Sequence, residues 1–290
     1  MGVRGLIGVM DRMCGKKAKR EVVGKGLSEL QNEVAGDRGK KSVLVVDAMN
    51  LLFYLAGLEN GLGVVKGLDF LCALLQDNGV QAVCVFDSNK MSKQRKTLAN
   101  DRRKQRTEAI GELDKIETQL DKIETQHGQE VPHFVKRKQA VLRSRTIRVR
   151  PAEVRGAWDQ LSKSGVCTVL MASDEADSVC VDMVKRGTAF ACLSNDSDMF
   201  VQGCPRVLRQ FDPLVGSFEL WETAAIYTSF GVTSERFVAM CEEATKNKYT
   251  HKELYEVFVF GSVQPVRLMH PKDGRSDLDL TWRRDIKAIS

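Results

Sequence analysis

Acidic residues stand directly after four short apolar runs of this chain. The runs are VLVV, VCVF, CTVLMAS and AFACLSN. The acids that follow them are Asp47, Asp87, Glu175, Asp177, Asp196 and Asp198. Short apolar runs rich in β-branched residues predict buried strands. The chain is therefore expected to fold so that each of four strands ends at one or two carboxylates.

Helical patterns alternate with these runs. The predicted strands are Val43–Val46, Val80–Phe86, Val166–Met171 and Ala189–Leu193. Helices are predicted near Leu68–Leu75 and over Ala176–Lys185, where Gly187 provides a glycine stop. Strands that alternate with helices indicate βαβ units. The predicted fold class is α/β, with a mostly parallel sheet flanked by helices.

In a parallel sheet the carboxyl ends of the strands share one edge, where ligands bind. Six carboxylates gathered there repel one another unless cations neutralise them. Mg²⁺ and Mn²⁺ prefer such hard oxygen ligands, and two-metal carboxylate sites hydrolyse phosphodiesters. The alternative is that an acid such as Asp47 or Asp174 only caps a helix.

The segment from about residue 95 to 150 interrupts the alternation. It is highly charged and repeats LDKIETQ at 113–119 and 120–126. An apolar seam at heptad spacing predicts a helix that packs along one narrow face. The seam consists of Leu113, Ile116, Leu120 and Ile123. We expect a helical excursion that turns near His127–Pro132; the alternative is a coiled-coil arm for dimerisation.

The net charge of +6 is concentrated in two basic stretches, one at 90–106 and one at 136–155. Dense basic stretches suit a polyanionic partner, although they also occur as solvated helix faces. The eight cysteines form no CxxC pair, which favours a reducing, intracellular compartment over a zinc site. No apolar run is long enough to span a membrane. KKAKR at 16–20 is interpreted as a solvated loop or a nuclear signal, and the nucleus is favoured over the cytoplasm.

Several of these segments carry a family likeness. MGVRGL, VLVVDAMNLL, VCVFDSNKMSKQRKTLANDRR and DEADSVCVDMVKRGTAFACLSNDSDMFVQGCPRVLR resemble the ordered motifs of the flap-endonuclease/XPG superfamily of structure-specific 5′-nucleases, which have a PIN-like fold. The likeness covers roughly residues 1–110 and 160–242. Viral members of the superfamily, such as the herpesvirus host-shutoff ribonuclease, are similar in their compactness.

The resemblance implies a role for each candidate residue. The six acids would hold two Mg²⁺ or Mn²⁺ ions, with Asp174 a rival for the place of Glu175. Lys93 and Arg102 would contact the scissile phosphate. The 95–150 excursion would be the helical arch of the family. The nucleic-acid contacts would be Gly2, Arg95, Arg103, Lys136, Arg137, Arg143, Arg145 and Arg148.

The same comparison predicts the domain organisation. Residues 1–242 would form the nuclease domain, with an N-region at 1–110, the arch at 95–150 and an internal motif region at 160–242. Residues 243–290 would form a divergent C-terminal helical segment and tail. Asn247 stands where the family has a seventh acid, and the glycine-rich duplex clamp is replaced; Glu242 or Glu243 could substitute for that acid.

The expected activity is metal-dependent hydrolysis of DNA at flaps or 5′ ends, and DNA is favoured over RNA as the partner. Two alternatives stay open: a host-shutoff-like endoribonuclease, and a nucleic-acid-binding protein with a weakened centre. The sequence indicates no membrane association and no particular protein partner.

Overall fold

The computed structural model describes residues 3, 5–35, 42–58, 62–88, 93–127, 133–249 and 251–260. Gly2 and the polar tail after residue 265 lie outside these residues. No described helix is both long and apolar enough to cross a membrane.

The fold is built on a seven-stranded mixed sheet in the order β1-β7-β6-β5-β2-β3-β4. The strands are β1 (Lys19–Val23), β2 (Val43–Asp47), β3 (Ala82–Phe86), β4 (Cys167–Met171), β5 (Ala189–Leu193), β6 (Arg206–Asp212) and β7 (Ser217–Glu222). Strands β2, β3, β4, β5 and β6 pair with one another in parallel. Antiparallel β7 and β1 complete one side of the sheet. This architecture confirms the predicted α/β class.

Helices cover both faces of the sheet. They are α1 (Leu6–Cys14), α2 (Gly26–Ala35), α3 (Ala48–Ala56), α4 (Gly63–Asp77), α5 (Lys93–His127), α6 (His133–Thr146), α7 (Pro151–Lys163), α8 (Ala176–Lys185), α9 (Asp198–Val201), α10 (Thr223–Phe230), α11 (Ser234–Asn247) and α12 (His251–Phe260). Helices α1, α8, α10, α11 and α12 contribute to one core cluster. Helices α2, α3, α4 and α7 contribute to a second. Central strand β5 is buried along its whole length, as its continuous apolar run predicts.

The predicted elements match the structure with small shifts. Helix 176–185 is found as predicted and is followed by Gly187 in a left-handed conformation (φ 73°). The strand predicted from Val80 begins at Ala82, and the strand predicted from Val166 begins at Cys167. Strands β1, β6 and β7 were not predicted.

The loop interpretation of residues 16–20 is wrong at its second half. Lys19 and Arg20 begin β1. The Lys19 ammonium lies 2.5 Å from Asp11 and 2.9 Å from Glu219, and it stands over the ring of Trp221. The two acidic partners explain why a lysine-rich stretch enters the sheet here.

Helices α5 and α6 pack against each other through a small apolar cluster. Ala109, Ile116 and Leu142 are buried in it, and Leu113 and Leu120 are partly buried. An ion pair between Arg143 and Glu117 (3.2 Å) also joins the two helices. The predicted helical excursion is confirmed. The described part of its apolar seam on α5 packs against α6 of the same chain. The predicted turn at 128–132 and the side chain of Ile123 lie outside the described residues.

The C-terminal helices continue the main core. Helix α11 runs through residue 242, and α12 packs on α1 through Leu254, Val257 and Phe258. The guanidinium of Arg12 on α1 stands over the ring of Tyr255. All eight cysteines are free thiols. The division of the chain at residues 242–243 stays a prediction.

Candidate metal centre

The carboxylates lie where the strand order reverses. From β2 the chain proceeds to β3 and β4 on one side, and then places β5 on the other side of β2. Ligands of open α/β sheets bind beyond the carboxyl ends of the strands at such a point. Asp47 ends β2, while Asp196 and Asp198 follow β5.

Helix α8 returns Asp177 to this place from the edge of the sheet. Strand β4 is the outermost strand, but α8, which follows it, packs across β3, β2 and β5. Asp87 fixes the start of the helix, because its Oδ1 accepts the Ala176 N–H at 3.0 Å. Asp177 therefore approaches Asp196 and Asp198, and oxygens of these three residues lie within 4.8 Å of one another.

Asp47 is buried and carries several hydrogen bonds. Its Oδ1 accepts the Asn50 N–H at 3.1 Å and caps α3, while its Oδ2 accepts the Ser194 hydroxyl at 3.0 Å. Asp47 thus does cap a helix, but it also forms a hydrogen bond with Asp177, one of the three clustered acids. Burial raises the pKa of Asp47 to about 6, against the lowering effect of these hydrogen bonds; the Asp87 charge raises it further.

Asp177 has the higher pKa of the two. Burial raises the pKa of Asp177 to about 8, with further contributions from the charges of Asp47 and Asp196 and from a hydrogen bond to Asp47. Burial also raises the pKa of Asp198, and the charges of Asp196 and Glu175 act in the same direction. Crowded carboxylates that hold protons in this way are poised to exchange them for a cation.

The two candidates for the Glu175 position differ in their surroundings. Glu175 precedes α8 and lies close enough to Asp198 to affect its pKa. The backbone carbonyl of Asp174 accepts the Ser88 N–H at 3.2 Å, and Asp174 and Glu175 are both exposed. The structure thus brings Asp177, Asp196 and Asp198 together, with Asp47 hydrogen-bonded to Asp177. Asp87 and Glu175 act on Asp47 and Asp198, respectively, through their charge, and their place in a six-residue site stays a prediction.

Asn195, which the sequence analysis did not single out, fixes the loop that carries Asp196 and Asp198. Its N–H donates to Asn50 Oδ1 at 2.8 Å, and its carbonyl accepts from Arg209 Nη2 at 2.9 Å. Its side-chain oxygen accepts the Gln210 N–H at 2.8 Å. An asparagine beside two acids carries no specific sequence signal, so only the fold reveals this role.

A bulge in β6 makes the Asn195 contacts possible. The register of β6 shifts between Arg209 and Asp212, and Gln210 takes a positive φ of 50°. Arg209 is 6% exposed, and burial lowers its pKa. Its Nε and Nη1 are buried without a hydrogen-bond partner among the described residues. Its guanidinium stands 5.9 Å from the ring centroid of Phe200.

A cavity of about 350 Å³ adjoins the carboxylates. Its lining includes the apolar residues Val3 and Ile7 and the polar residues Asn50, Asn195 and Asp196. The predicted site therefore opens into a space large enough for part of a substrate.

Asn247, which the family resemblance predicts to stand in place of a seventh acid, lies at the end of α11. Asn247 is exposed, and its side-chain nitrogen donates to the Tyr249 hydroxyl at 3.2 Å. That hydroxyl donates to Glu243 at 3.3 Å. Glu242 is exposed as well. Among the described residues, the group of acids close enough to share a metal ion includes neither Glu242 nor Glu243.

The predicted nucleic-acid contacts are only partly described. Lys93 begins α5 and Arg102 lies in it, but their side chains and those of Arg95, Lys136 and Arg137 lie outside the described residues, as does Gly2. Arg103, Arg145 and Arg148 are exposed, and Arg143 pairs with Glu117.

The sequence is similar to known nucleases over most of its length. Residues 167–245 match the XPG I-region. Flap endonuclease 1 from Babesia bovis is 27% identical over 245 residues, which is 83% of this chain and 34% of that protein. Human flap endonuclease 1 is 23% identical over 225 residues, which is 73% of this chain and 55% of that protein. The chain thus spans about a third to a half of the length of these relatives.

The fold is similar to those of two solved nucleases. Flap endonuclease-1 from Methanococcus jannaschii matches with a TM-score of 0.53 at 17% identity, over 86% of this chain and 76% of that one. The Holliday junction-resolving enzyme GEN1, solved with product DNA, Mg²⁺ and Mn²⁺ ions, matches with a TM-score of 0.54 at 14% identity, over 90% of this chain and 51% of that one. The viral relation stays a prediction. The chain is thus similar to XPG and flap-endonuclease proteins in its sequence, over the I-region above all, and similar to solved flap endonucleases in its fold.

Proposed function

We propose that this protein is a divalent-metal-dependent nuclease that hydrolyses phosphodiester bonds of DNA at flaps or 5′ ends. The observation that carries the proposal is the convergence of Asp177, Asp196 and Asp198 within 4.8 Å at the switch point of the sheet. The relation to flap endonucleases and the DNA bound to GEN1 favour DNA as the substrate.

The donor set fits Mg²⁺ or Mn²⁺. All candidate ligands are carboxylate oxygens, which these ions prefer. Burial first, and then the charges of neighbouring acids, raise the pKa values of Asp47 and Asp177, so a bound cation would favour the ionised forms of both. Asp177, Asp196 and Asp198 would hold one ion, and Asp47, Asp87 and Glu175 would complete the set for a second. When bound, the ions would activate water and stabilise charge on the phosphate oxygens.

The chain's own residues would position the substrate. Asp177 would release its proton as the centre becomes positively charged. Asn195 would keep Asp196 and Asp198 in place through its contacts with Asn50 and the β6 bulge. Lys93 and Arg102 would bind the scissile phosphate; the resemblance to the family and their position in α5, which follows β3 and Asp87 in the chain, support this role.

The test is cleavage of labelled flap, hairpin and single-stranded DNA, and of single-stranded RNA, with Mg²⁺ or Mn²⁺. We expect flap DNA to be cut by the wild type and the Asp196→Asn, Asp198→Asn double variant to lose at least about a thousandfold in rate. Asp182→Asn is the control, because Asp182 lies on α8 but pairs with Arg186 at the surface. Cleavage by the double variant at the wild-type rate would refute the proposal. Preferential RNA cleavage would move the substrate to the endoribonuclease alternative.

A second candidate function is nucleic-acid binding without turnover. The exposed Asn247 in the place of the seventh acid favours it. Cation binding distinguishes the two functions. A protein whose carboxylate centre no longer binds divalent cations should show no thermal stabilisation by Mn²⁺. Nuclear localisation stays a prediction.

A further inference from the structure

The cavity beside the carboxylates is lined by two chemically different sets of residues. Val3 and Ile7 are apolar, while Asn50, Asn195 and Ser197 supply neutral polar groups. Asp196 belongs to both the cavity and the carboxylate cluster. Binding sites for small ligands combine apolar surface with a few fixed polar groups in this way, and they begin at about 300 Å³. The cavity is wide open to solvent, and it has the size and lining to contact one nucleotide of a substrate held at the metal centre.

The two asparagine side chains have fixed orientations. Asn50 Oδ1 accepts the backbone N–H of Asn195, and Asn195 Oδ1 accepts the backbone N–H of Gln210, each at 2.8 Å. A backbone N–H can only donate, so each carboxamide must present its oxygen there and its NH₂ group elsewhere. Among the described residues, neither NH₂ group donates to another protein atom. Two oriented donors thus remain available at the lining of the cavity.

We propose that Asn50 and Asn195 form a subsite for the nucleotide next to the scissile bond, where their NH₂ groups donate hydrogen bonds to acceptor oxygens of that nucleotide. This subsite rests on the proposed nuclease function, because its nucleotide is part of the substrate held at the carboxylates. The acceptor is an oxygen of the flanking phosphate or of the base. The apolar residues Val3 and Ile7 would contact the face of the base or the sugar.

Exchange of one asparagine for aspartate tests the donors without removing the internal contacts. Asn50→Asp keeps the oxygen that accepts the Asn195 N–H and replaces only the NH₂ group. Asn195→Asp does the same for the Gln210 contact. We expect each exchange to weaken binding of a flap oligonucleotide, measured in Ca²⁺, by about three- to tenfold. In Mg²⁺ the change should appear in KM more than in kcat. Unchanged affinity in both variants would overturn the subsite.

Asn78→Asp is the matched control for the exchange. Asn78 Oδ1 accepts the Ser28 N–H, and its NH₂ group donates to the Leu74 carbonyl at the end of α4, which is part of the core around the other face of the sheet. We expect this variant to lose stability and to keep the wild-type oligonucleotide affinity. Mn²⁺ titration of all variants separates a change in cation binding, due to the added charge, from a change in nucleotide binding. A loss of oligonucleotide affinity that is fully accounted for by weaker cation binding would also overturn the subsite.

Modified substrates identify the acceptor and distinguish this proposal from the proposed function. A methylphosphonate at the flanking position removes a charged phosphate oxygen, and an abasic residue removes the base. The difference between wild type and Asn50→Asp should vanish with one of these substrates; if it persists with both, the subsite is refuted. If the wild type cleaves nothing, the proposed function fails; weaker binding by Asn50→Asp would then still show that this asparagine contacts the oligonucleotide.

Discussion

Asp177 on α8 forms a hydrogen bond with Asp47 at the end of β2. The pKa of Asp177 is raised to about 8 and that of Asp47 to about 6, so at neutral pH Asp177 holds the proton and Asp47 accepts it. The bound proton removes one of the crowded negative charges and so reduces the repulsion between the carboxylates, as a bound cation would.

This shared proton makes the stability of the metal-free protein depend on pH. Between about pH 4 and pH 8 the folded protein holds a proton on Asp177 that the unfolded chain has released. The free energy of unfolding should therefore fall as the pH rises through this window, by at most about 1.4 kcal/mol per pH unit and about 5 kcal/mol in all. Thermal unfolding in EDTA from pH 5 to pH 8.5 measures the effect.

Asp177→Asn is the informative variant for the pH effect. Asparagine keeps a hydrogen-bond donor for Asp47 and cannot ionise, so the pH dependence in this range should become flatter. Mn²⁺ should stabilise the wild type more strongly as the pH rises, because the cation competes with the proton. An identical pH profile for wild type and Asp177→Asn would contradict the pKa assignment.

Replacement of Arg209 should separate metal affinity from stability. The guanidinium is buried with two unpartnered nitrogens, so in Arg209→Met the lost hydrogen bond is offset by relief of the desolvation cost. We expect the free energy of unfolding in EDTA to change by no more than about 1 kcal/mol. Mn²⁺ affinity should fall about tenfold, because the Asn195 carbonyl loses its partner. Chemical denaturation and Mn²⁺ titration measure the two quantities.

Arg206→Met is the control on the same strand. Arg206 Nε donates to the Phe190 carbonyl at 2.6 Å. Among the described residues, its side chain is not hydrogen-bonded to the loop that carries Asp196. This variant should lose stability without a change in Mn²⁺ affinity. Equal losses of affinity in the two variants would refute a specific role for Arg209.

The packing of α5 on α6 predicts a local effect of substitutions in the small core between these two helices. Ile116 is 9% exposed against α6, whereas Ile110 on the same helix is 44% exposed. Ile116→Ala should accelerate proteolysis within 93–146 several-fold and leave the main unfolding transition unchanged, because α5 and α6 have a core of their own. Ile110→Ala should match the wild type. A dimer in sedimentation that dissociates in Ile116→Ala would instead support the coiled-coil arm.

Two glycines should respond to alanine in opposite directions. Gly187 has a φ of 73° after α8, so Gly187→Ala should destabilise the protein by about 1 kcal/mol. Gly156 lies within α7, and a Cβ added there would meet no atom within 4 Å. Gly156→Ala should therefore be neutral or stabilise the protein by up to about 1 kcal/mol. Urea denaturation of both variants tests the pair; destabilisation by Gly156→Ala would show a close contact that the structure lacks.

Local patterns predicted the elements that bear the acids, because each of those strands is a continuous apolar run in the sequence. Strands β6 and β7 were missed because Arg209 and Glu219 interrupt their apolar patterns, and these side chains face each other in the sheet register. Strand β1 was missed for a related reason, since Lys19 depends on Asp11 and Glu219, which are distant in sequence or on another element.

The acids of the candidate site could be predicted from the sequence, but the contacts that hold them in place could not. Strand ends reveal Asp47, Asp87 and Asp196, because their positions follow from the apolar runs. The contacts of Asn195 depend on a bulge in β6, whose register shift leaves no signal in the sequence. Likewise, Asp87 capping α8 requires knowledge of how that helix crosses the sheet.

The strand order also sets when the carboxylates can meet during folding. Strand β2 lies between β3 and β5, and Asp47 faces residues contributed from both sides of it. Pairing of β2 with β5 requires a long loop of chain to close, which is slow. A nascent or partly folded chain therefore has no complete cation site, so tight Mn²⁺ binding should arise only once the last of these strands has docked, and it would report the completion of folding.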